Sequence, residues 1–109
     1  MGFFSFTRKA KQNSHQDYGY PNSAYAMSKI ALIAATIIQQ RLFDTKSHRD
    51  IVVNACCPGY IKTDMTLNKG IGTPEQGADT SVYLATLEPN IKSPRGELVA
   101  ERKIVKWKC

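Results

Sequence analysis

Tyr25 and Lys29 stand four residues apart and offer the clearest chemistry in this sequence. On a helix that spacing puts both on one face, with their side chains leaning toward the helix N-terminus. A neighbouring ammonium favours phenolate over phenol and so eases release of the phenolic proton. A tyrosine placed this way can give a proton to a carbonyl oxygen as hydride arrives at the carbon. Lys29 lies in a mostly apolar stretch, where an ammonium needs a partner. A bound sugar hydroxyl would serve. An isolated Y-x-x-x-K is common by chance and usually marks a surface tyrosine and a snorkelling lysine. Here three features surround it: Ser23-Ala24 before it, an apolar helix through it, and a later strand that ends in Pro58-Gly59.

The elements that position the pair can be read from spacing and breakers. The spacing predicts at most a short helix over about Phe6–Gln12, a loop over Gln12–Asp17 and a turn at Gly19–Asn22. Asn22 or Ser23 caps a helix from Ala24 to about Phe43, which holds no Gly or Pro. Its apolar residues crowd nearly the whole circumference, which predicts burial on more than one side. Asp44–His48 reads as loop. Ile51–Cys56 is a β-branched run that predicts a buried strand stopping at Pro58-Gly59. Residues 60–73 read as loop. Thr73 caps a further helix, with Pro74 first and Glu75 in its first turn, running to about Thr86. Ala78, Val82 and Ala85 share one side of it. Glu97–Ala100 reads as the last strand. A helix followed by a buried strand, without a hairpin signal, predicts a parallel α/β sheet.

Composition narrows the classes. At 109 residues with 42% hydrophobic content, the chain is one small domain or part of a larger one and is not disordered throughout. No apolar run reaches the roughly 20 residues that span a bilayer. Met1–Phe6 is too short for a signal peptide, and Phe6 breaks the myristoylation pattern, so a cytoplasmic location is expected. The three cysteines, Cys56, Cys57 and Cys109, form no disulfide framework, and with His15 and His48 they form no metal spacing. Cys57 is either a reactive thiol or a buried inert one. The net charge of +6 is uneven. Residues 91–109 hold six basic side chains against two acidic, and residues 67–90 hold one against three. A basic end can serve nucleic acid or membrane, but Glu97 and Glu101 interrupt it and no aromatic ladder accompanies it. Arg102, Lys103, Lys106 and Lys108 therefore read as a solvated face, and neither nucleic acid nor membrane is expected as partner.

Taken together the motifs resemble the short-chain dehydrogenase/reductase family. Its Y-x-x-x-K helix is followed by a strand and a P-G-x-x-x-T loop, here Pro58-Gly59-Tyr60-Ile61-Lys62-Thr63. Within that family the chain is similar to the C-terminal part of the cytosolic, monomeric, NADPH-dependent carbonyl reductases. Pro21–Tyr25, Asn54–Gly59 with Lys62–Met65, Thr73–Ala78 leading to Val82–Ala85, and Gly96–Val99 with Trp107 carry the likeness over roughly residues 9–108.

The resemblance implies a C-terminal portion of a Rossmann-type, doubly wound parallel sheet. It treats residues 1–109 as one partial domain, with residues 1–22 the tail of an insertion and residues 23–109 the catalytic helix, strand, nicotinamide loop, helix and last strand. It implies reduction of ketones, aldehydes and quinones to alcohols with NADPH as cofactor. Tyr25 matches the proton donor. Lys29 matches the residue that eases that proton's release and binds the nicotinamide ribose. Pro58, Gly59, Ile61, Lys62 and Thr63 match the segment along the nicotinamide, with the Ile61 main chain and Thr63 on its carboxamide. Ala24, Tyr60 and Met65 match substrate-pocket positions, with plain loop packing the alternative for Tyr60 and Met65. No metal is implied, and the complete protein is expected to be a monomer.

The family's glycine-rich phosphate turn and its catalytic serine have no counterpart here. Gly70-Ile71-Gly72 lies late in the chain and before Thr73-Pro74, and Ser5, Ser14 and Ser23 lack the matching context. The expectation is a fragment, an alternative start or an incomplete gene model, inactive alone, with an exposed sheet edge and an uncovered helix face. The competing reading is a non-catalytic product that binds a partner protein.

Overall fold

The computed structural model describes residues 3–106. Met1, Gly2, Trp107, Lys108 and Cys109 lie outside the described residues. The fold is mixed α/β: helix α1 (Phe3–Lys11), helix α2 (Ala24–Lys46), strand β1 (Ala55–Cys57), helix α3 (Pro74–Ala85) and strands β2 (Leu98–Ala100) and β3 (Lys103–Ile104). Short 3-10 turns lie at Gln16–Tyr18 and Asp64–Thr66. The sheet has three strands in the order β1-β2-β3, with β1 and β2 parallel and β2 and β3 antiparallel. The chain divides into two compact units, Met1–Ala35 and Thr36–Cys109. Each is described separately.

In the first unit Phe6 is buried, with its ring edge-on to His15 and Tyr20 at centroid distances of 5.8 and 5.5 Å. α1 begins earlier than its polar sequence suggests, and Arg8, Lys9 and Lys11 in its last turn suit the negative end of the helix dipole. The expected loop around residue 16 contains a 3-10 turn, closed by Gly19 at φ 77°. Ser23 rather than Asn22 caps α2. Its Oγ accepts the Ala26 N–H at 3.1 Å, while the Asn22 side chain is taken by His15 Nε2 at 3.0 Å.

α2 runs three residues past the expected Phe43, and the Thr45 hydroxyl donates back to the Arg41 carbonyl. The expected burial on more than one side is not found. Met27 and Gln40 are buried, whereas Ile30, Leu32, Ile38 and Leu42 are exposed. A helix that is apolar all round needs neighbours on every side, and the described elements do not supply them.

The second unit is organised around Val99, which is fully buried. The predicted strand over Ile51–Cys56 forms only from Ala55, and Cys56 and Cys57 are exposed. The reason is competition for backbone groups. The Val53 N–H goes to Gln40 Oε1 at 2.7 Å, and the Asn54 side chain bridges the Pro94 carbonyl and the Glu97 N–H, each at 3.0 Å. Gly96 is required beside Gln40: it has φ 72°, and a Cβ there would lie 2.9 Å from Gln40 Cβ. The strand expected over Glu97–Ala100 is not the last. Glu101 and Arg102 both take positive φ, 49° and 60°, and return the chain as β3 in a tight hairpin.

α3 follows its sequence signals closely. Thr73 Oγ1 accepts the Gln76 N–H, the Gln76 side chain answers to the Thr73 N–H, and Pro74 opens the helix. Its buried positions are Gly77 and Thr80, while Ala78, Val82 and Ala85 face out.

Candidate active site

Ala24, Tyr25 and Lys29 occupy the first turns of α2 in the first unit. Tyr25 is 73% exposed, so its hydroxyl is open to a ligand. Lys29 is exposed as well, and its Nζ lies 5.4 Å from the centroid of the Tyr25 ring, within the range of a cation–π contact. Ser28 Oγ donates to the Tyr25 carbonyl at 2.7 Å. A phenol and an ammonium thus share one open helix face.

Pro58, Gly59, Tyr60, Ile61, Lys62, Thr63 and Met65 belong to the second unit. β1 ends at Cys57 because Pro58 brings no N–H to the ladder. Gly59 turns the chain at φ 82°. The segment then pairs briefly with the returning loop. Lys62 N–H donates to the Gly72 carbonyl at 2.8 Å, and the Tyr60 carbonyl accepts the Ile71 and Gly72 N–H groups. Successive N–H groups of an extended segment point to opposite sides, so the Ile61 N–H is turned away from Gly72.

Ile61 is caged by glycines. A Cβ at Gly70 would collide with the Ile61 carbonyl carbon, while one at Gly72 would lie 2.7 Å from Ile61 Cδ1 and one at Gly77 2.7 Å from Ile61 Cγ1. The Thr66 hydroxyl donates to the Ile61 carbonyl at 2.7 Å and accepts the Thr63 N–H at 3.0 Å, closing the loop from the other end. Lys62 and Met65 are exposed and Thr63 is half-buried.

A cleft of about 530 Å³ opens at the carboxyl ends of β1 and β2. Ligands of parallel α/β sheets bind at such ends. It brings together Pro58, Gly59, Tyr60 and Ile61, while Lys62, Thr63 and Met65 do not line it. Cys57 lines it and is exposed, which sets aside the buried alternative for that thiol. Among the described residues no group of three or more His, Cys, Asp or Glu side chains could hold a metal, and no helix is long and apolar enough to cross a membrane.

Gln76, Asp79 and Arg102 also line the cleft, and sequence reasoning did not single them out as a site. Arg102 is no freely solvated base. Its Nε lies 2.8 Å from Asp79 Oδ2, a second guanidinium nitrogen pairs with Asp79 Oδ1, and its backbone N–H reaches Thr80 Oγ1 at 3.4 Å. The guanidinium lies 5.7 Å from the Tyr83 ring centroid. It holds the Asp79 carboxyl below its ordinary range, and the Asp79 hydrogen bonds raise Arg102 in return. No local pattern announces a pair 23 residues apart.

No family model matches the chain. Carbonyl reductase [NADPH] 3 of Rattus norvegicus is 43% identical over 103 residues, and carbonyl reductase [NADPH] 1 of Homo sapiens is 39% identical over 103 residues. The chain is similar in sequence to carbonyl reductases named for NADPH. The match covers 94% of the chain and 37% of each relative, its C-terminal part. The chain thus spans little more than a third of the length of the carbonyl reductases it matches. The resemblance read from the Y-x-x-x-K helix and the P-G-x-x-x-T loop is therefore borne out.

Proposed function

We propose that this chain supplies the acid-donating helix and the nicotinamide-side loop of an NADPH-dependent carbonyl reductase. The observation that carries this is the identity of 39–43% to carbonyl reductases over nearly the whole chain. In this reading the parallel β1–β2 pair belongs to a doubly wound Rossmann-type sheet. Residues 23–109 are its catalytic portion, and residues 1–22 are the tail of an insertion. The NADPH nicotinamide supplies hydride when bound. Tyr25 gives its proton to the substrate oxygen as the alcohol forms. Lys29 eases that transfer and holds ribose hydroxyls with its ammonium. Pro58, Gly59, Ile61, Lys62 and Thr63 border the nicotinamide, and Ala24, Tyr60 and Met65 border the substrate.

The loop fits the nicotinamide end of the cofactor. Pro58 to Ile61 line an open cleft at the carboxyl ends of parallel strands, and no atom comes within 4 Å of a Cβ built at Gly59. The outward Ile61 N–H is a donor suited to a carboxamide oxygen. A chimera tests the assignment. The chain replaces the matching part of rat carbonyl reductase [NADPH] 3, and NADPH oxidation is followed with a quinone or an aromatic ketone. Turnover that survives Tyr25→Phe unchanged overturns the reading. Residues 1–109 alone are expected to show no turnover.

One feature supports a second, non-catalytic reading. In the second unit Ile38 and Leu42 of α2 are exposed, and β1 is an edge strand. Open apolar surface and an open strand edge suit a partner protein. Co-purification with a defined partner, without cofactor binding, would favour this alternative.

A further inference from the structure

Gln76 has a fixed orientation that its capping role alone does not use. The Thr73 N–H can only donate, so the Gln76 atom 2.8 Å from it is the amide oxygen. The Gln76 N–H returns the bond to Thr73 Oγ1 at 3.3 Å. With the oxygen committed to the cap, the amide NH2 is the donating end of the side chain, and Gln76 lines the cleft.

The surroundings select what that NH2 can meet. Tyr60 and Ile71 line the same cleft and are 55% and 92% exposed, so a flat apolar body laid against them removes apolar surface from water. The charged lining is two carboxylates, Asp79 and Glu101, and one guanidinium, Arg102, which Asp79 already engages. That balance disfavours an anionic ligand. A volume of about 530 Å³ suits a compound of one or two rings.

We propose that Gln76 is a recognition residue of this cleft, whose amide NH2 donates to an oxygen of a neutral, flat carbonyl compound lying against Tyr60 and Ile71. The proposal rests on reading the cleft as part of a carbonyl-reducing site, and it adds the residue that orients the ligand there.

The test uses the full 109-residue chain, labelled with nitrogen-15, and two probes. Menadione carries accepting oxygens, and naphthalene has the rings alone. Menadione is expected to shift the Gln76 side-chain NH2 signals together with the Tyr60 and Ile61 amides. Gln76→Glu keeps the capping box, because a glutamate oxygen accepts the Thr73 N–H equally well, but it replaces the donor with a charged acceptor. The thermal midpoint should hold or rise, since a carboxylate suits a helix N-terminus. Menadione binding should weaken at least about tenfold, the worth of one good hydrogen bond. Naphthalene binding should not change. Equal menadione affinity in Gln76→Glu, or an absence of shifts around the cleft, overturns the proposal. A chimera that fails to oxidise NADPH would sink the reductase reading while leaving this binding result standing.

Discussion

Gln40 Oε1 accepts the backbone N–H of Val53 at 2.7 Å from a side chain that is 3% exposed. Gln40 Nε2 donates to the Ile51 carbonyl at 3.0 Å and to Asp44 Oδ1 at 2.9 Å. One glutamine near the end of α2 thus stands in for a strand partner. Gln40→Leu keeps the bulk and removes both bonds to the backbone of the strand-approach segment. A buried N–H left without a partner costs about 1–3 kcal/mol. The expected loss is about 2 kcal/mol, a fall of roughly 10 °C in Tm for a domain of this size. Thermal and urea melts of the two proteins measure it. An unchanged midpoint would mean that water replaces the glutamine without cost.

This contact also marks where the sequence stops being legible. Ser23, Thr73, Pro74 and Glu75 announce their helix ends because capping is local, decided within one turn of chain. The run Ile51–Cys56 reads as strand for the equally local reason of β-branching, yet Val53 is claimed by a side chain 13 residues earlier. β3 was invisible because its hairpin needs positive φ at Glu101 and Arg102, which are not the usual residues for such a turn. The motif loop Pro58–Thr63 is legible from its breakers, yet only Pro58, Gly59, Tyr60 and Ile61 of it line the cleft, and Lys62 and Thr63 do not. The far wall of that cleft, Gln76 with Asp79 and Arg102, arises from tertiary contact and leaves no spacing to read.

The glycine cage around Ile61 makes a prediction with an unusual sign. Alanine is ordinarily better than glycine inside a helix by about 1 kcal/mol. At Gly77 the added methyl would lie 2.7 Å from Ile61 Cγ1, far inside contact distance. Gly77→Ala is therefore expected to destabilise the fold. In an Ile61→Ala background the obstruction is gone, and the same change should become neutral or stabilising. A double-mutant cycle by chemical denaturation should give a coupling of at least about 1 kcal/mol. Additive effects would show that the loop yields without strain.

Arg95 ties together Asp44 and Asp50, at 2.8 and 3.0 Å. Hydrogen bonds from Arg95, and then from Gln40, hold the Asp44 carboxyl below its ordinary 3.8. The Asn90 backbone N–H, and then Arg95, do the same for Asp50. A carboxyl lowered in the folded state adds stability that is fully present above its unfolded value and is lost as pH falls through the folded one. The stability difference between the parent chain and Arg95→Met should thus be flat above about pH 5 and shrink below 3.8. Added salt should narrow it too, because these groups are partly exposed. Urea midpoints across the acid range test this. A gap that widens toward low pH would contradict the assignment.

Tyr25 and Lys29 share an open face of α2, with the ammonium 5.4 Å from the phenol ring, and their proposed roles predict different kinetic signatures. In the chimera with rat carbonyl reductase [NADPH] 3, Tyr25→Phe removes the proton donor and leaves the ring. It should lower kcat by roughly a hundred- to ten-thousandfold, the usual worth of a general acid, with the KM for NADPH changed only a few-fold. Lys29→Met should do both: lower kcat, because proton release is no longer eased, and raise the KM for NADPH, because the ribose contact is gone. Lys29→Arg keeps the charge but not the compact ammonium, so it should recover part of kcat and less of the cofactor affinity. Steady-state kinetics with the NADPH concentration varied separate these terms. If Lys29→Met changed KM alone, the lysine would be a cofactor anchor without influence on the acid, and the chemistry of the pair would reduce to Tyr25.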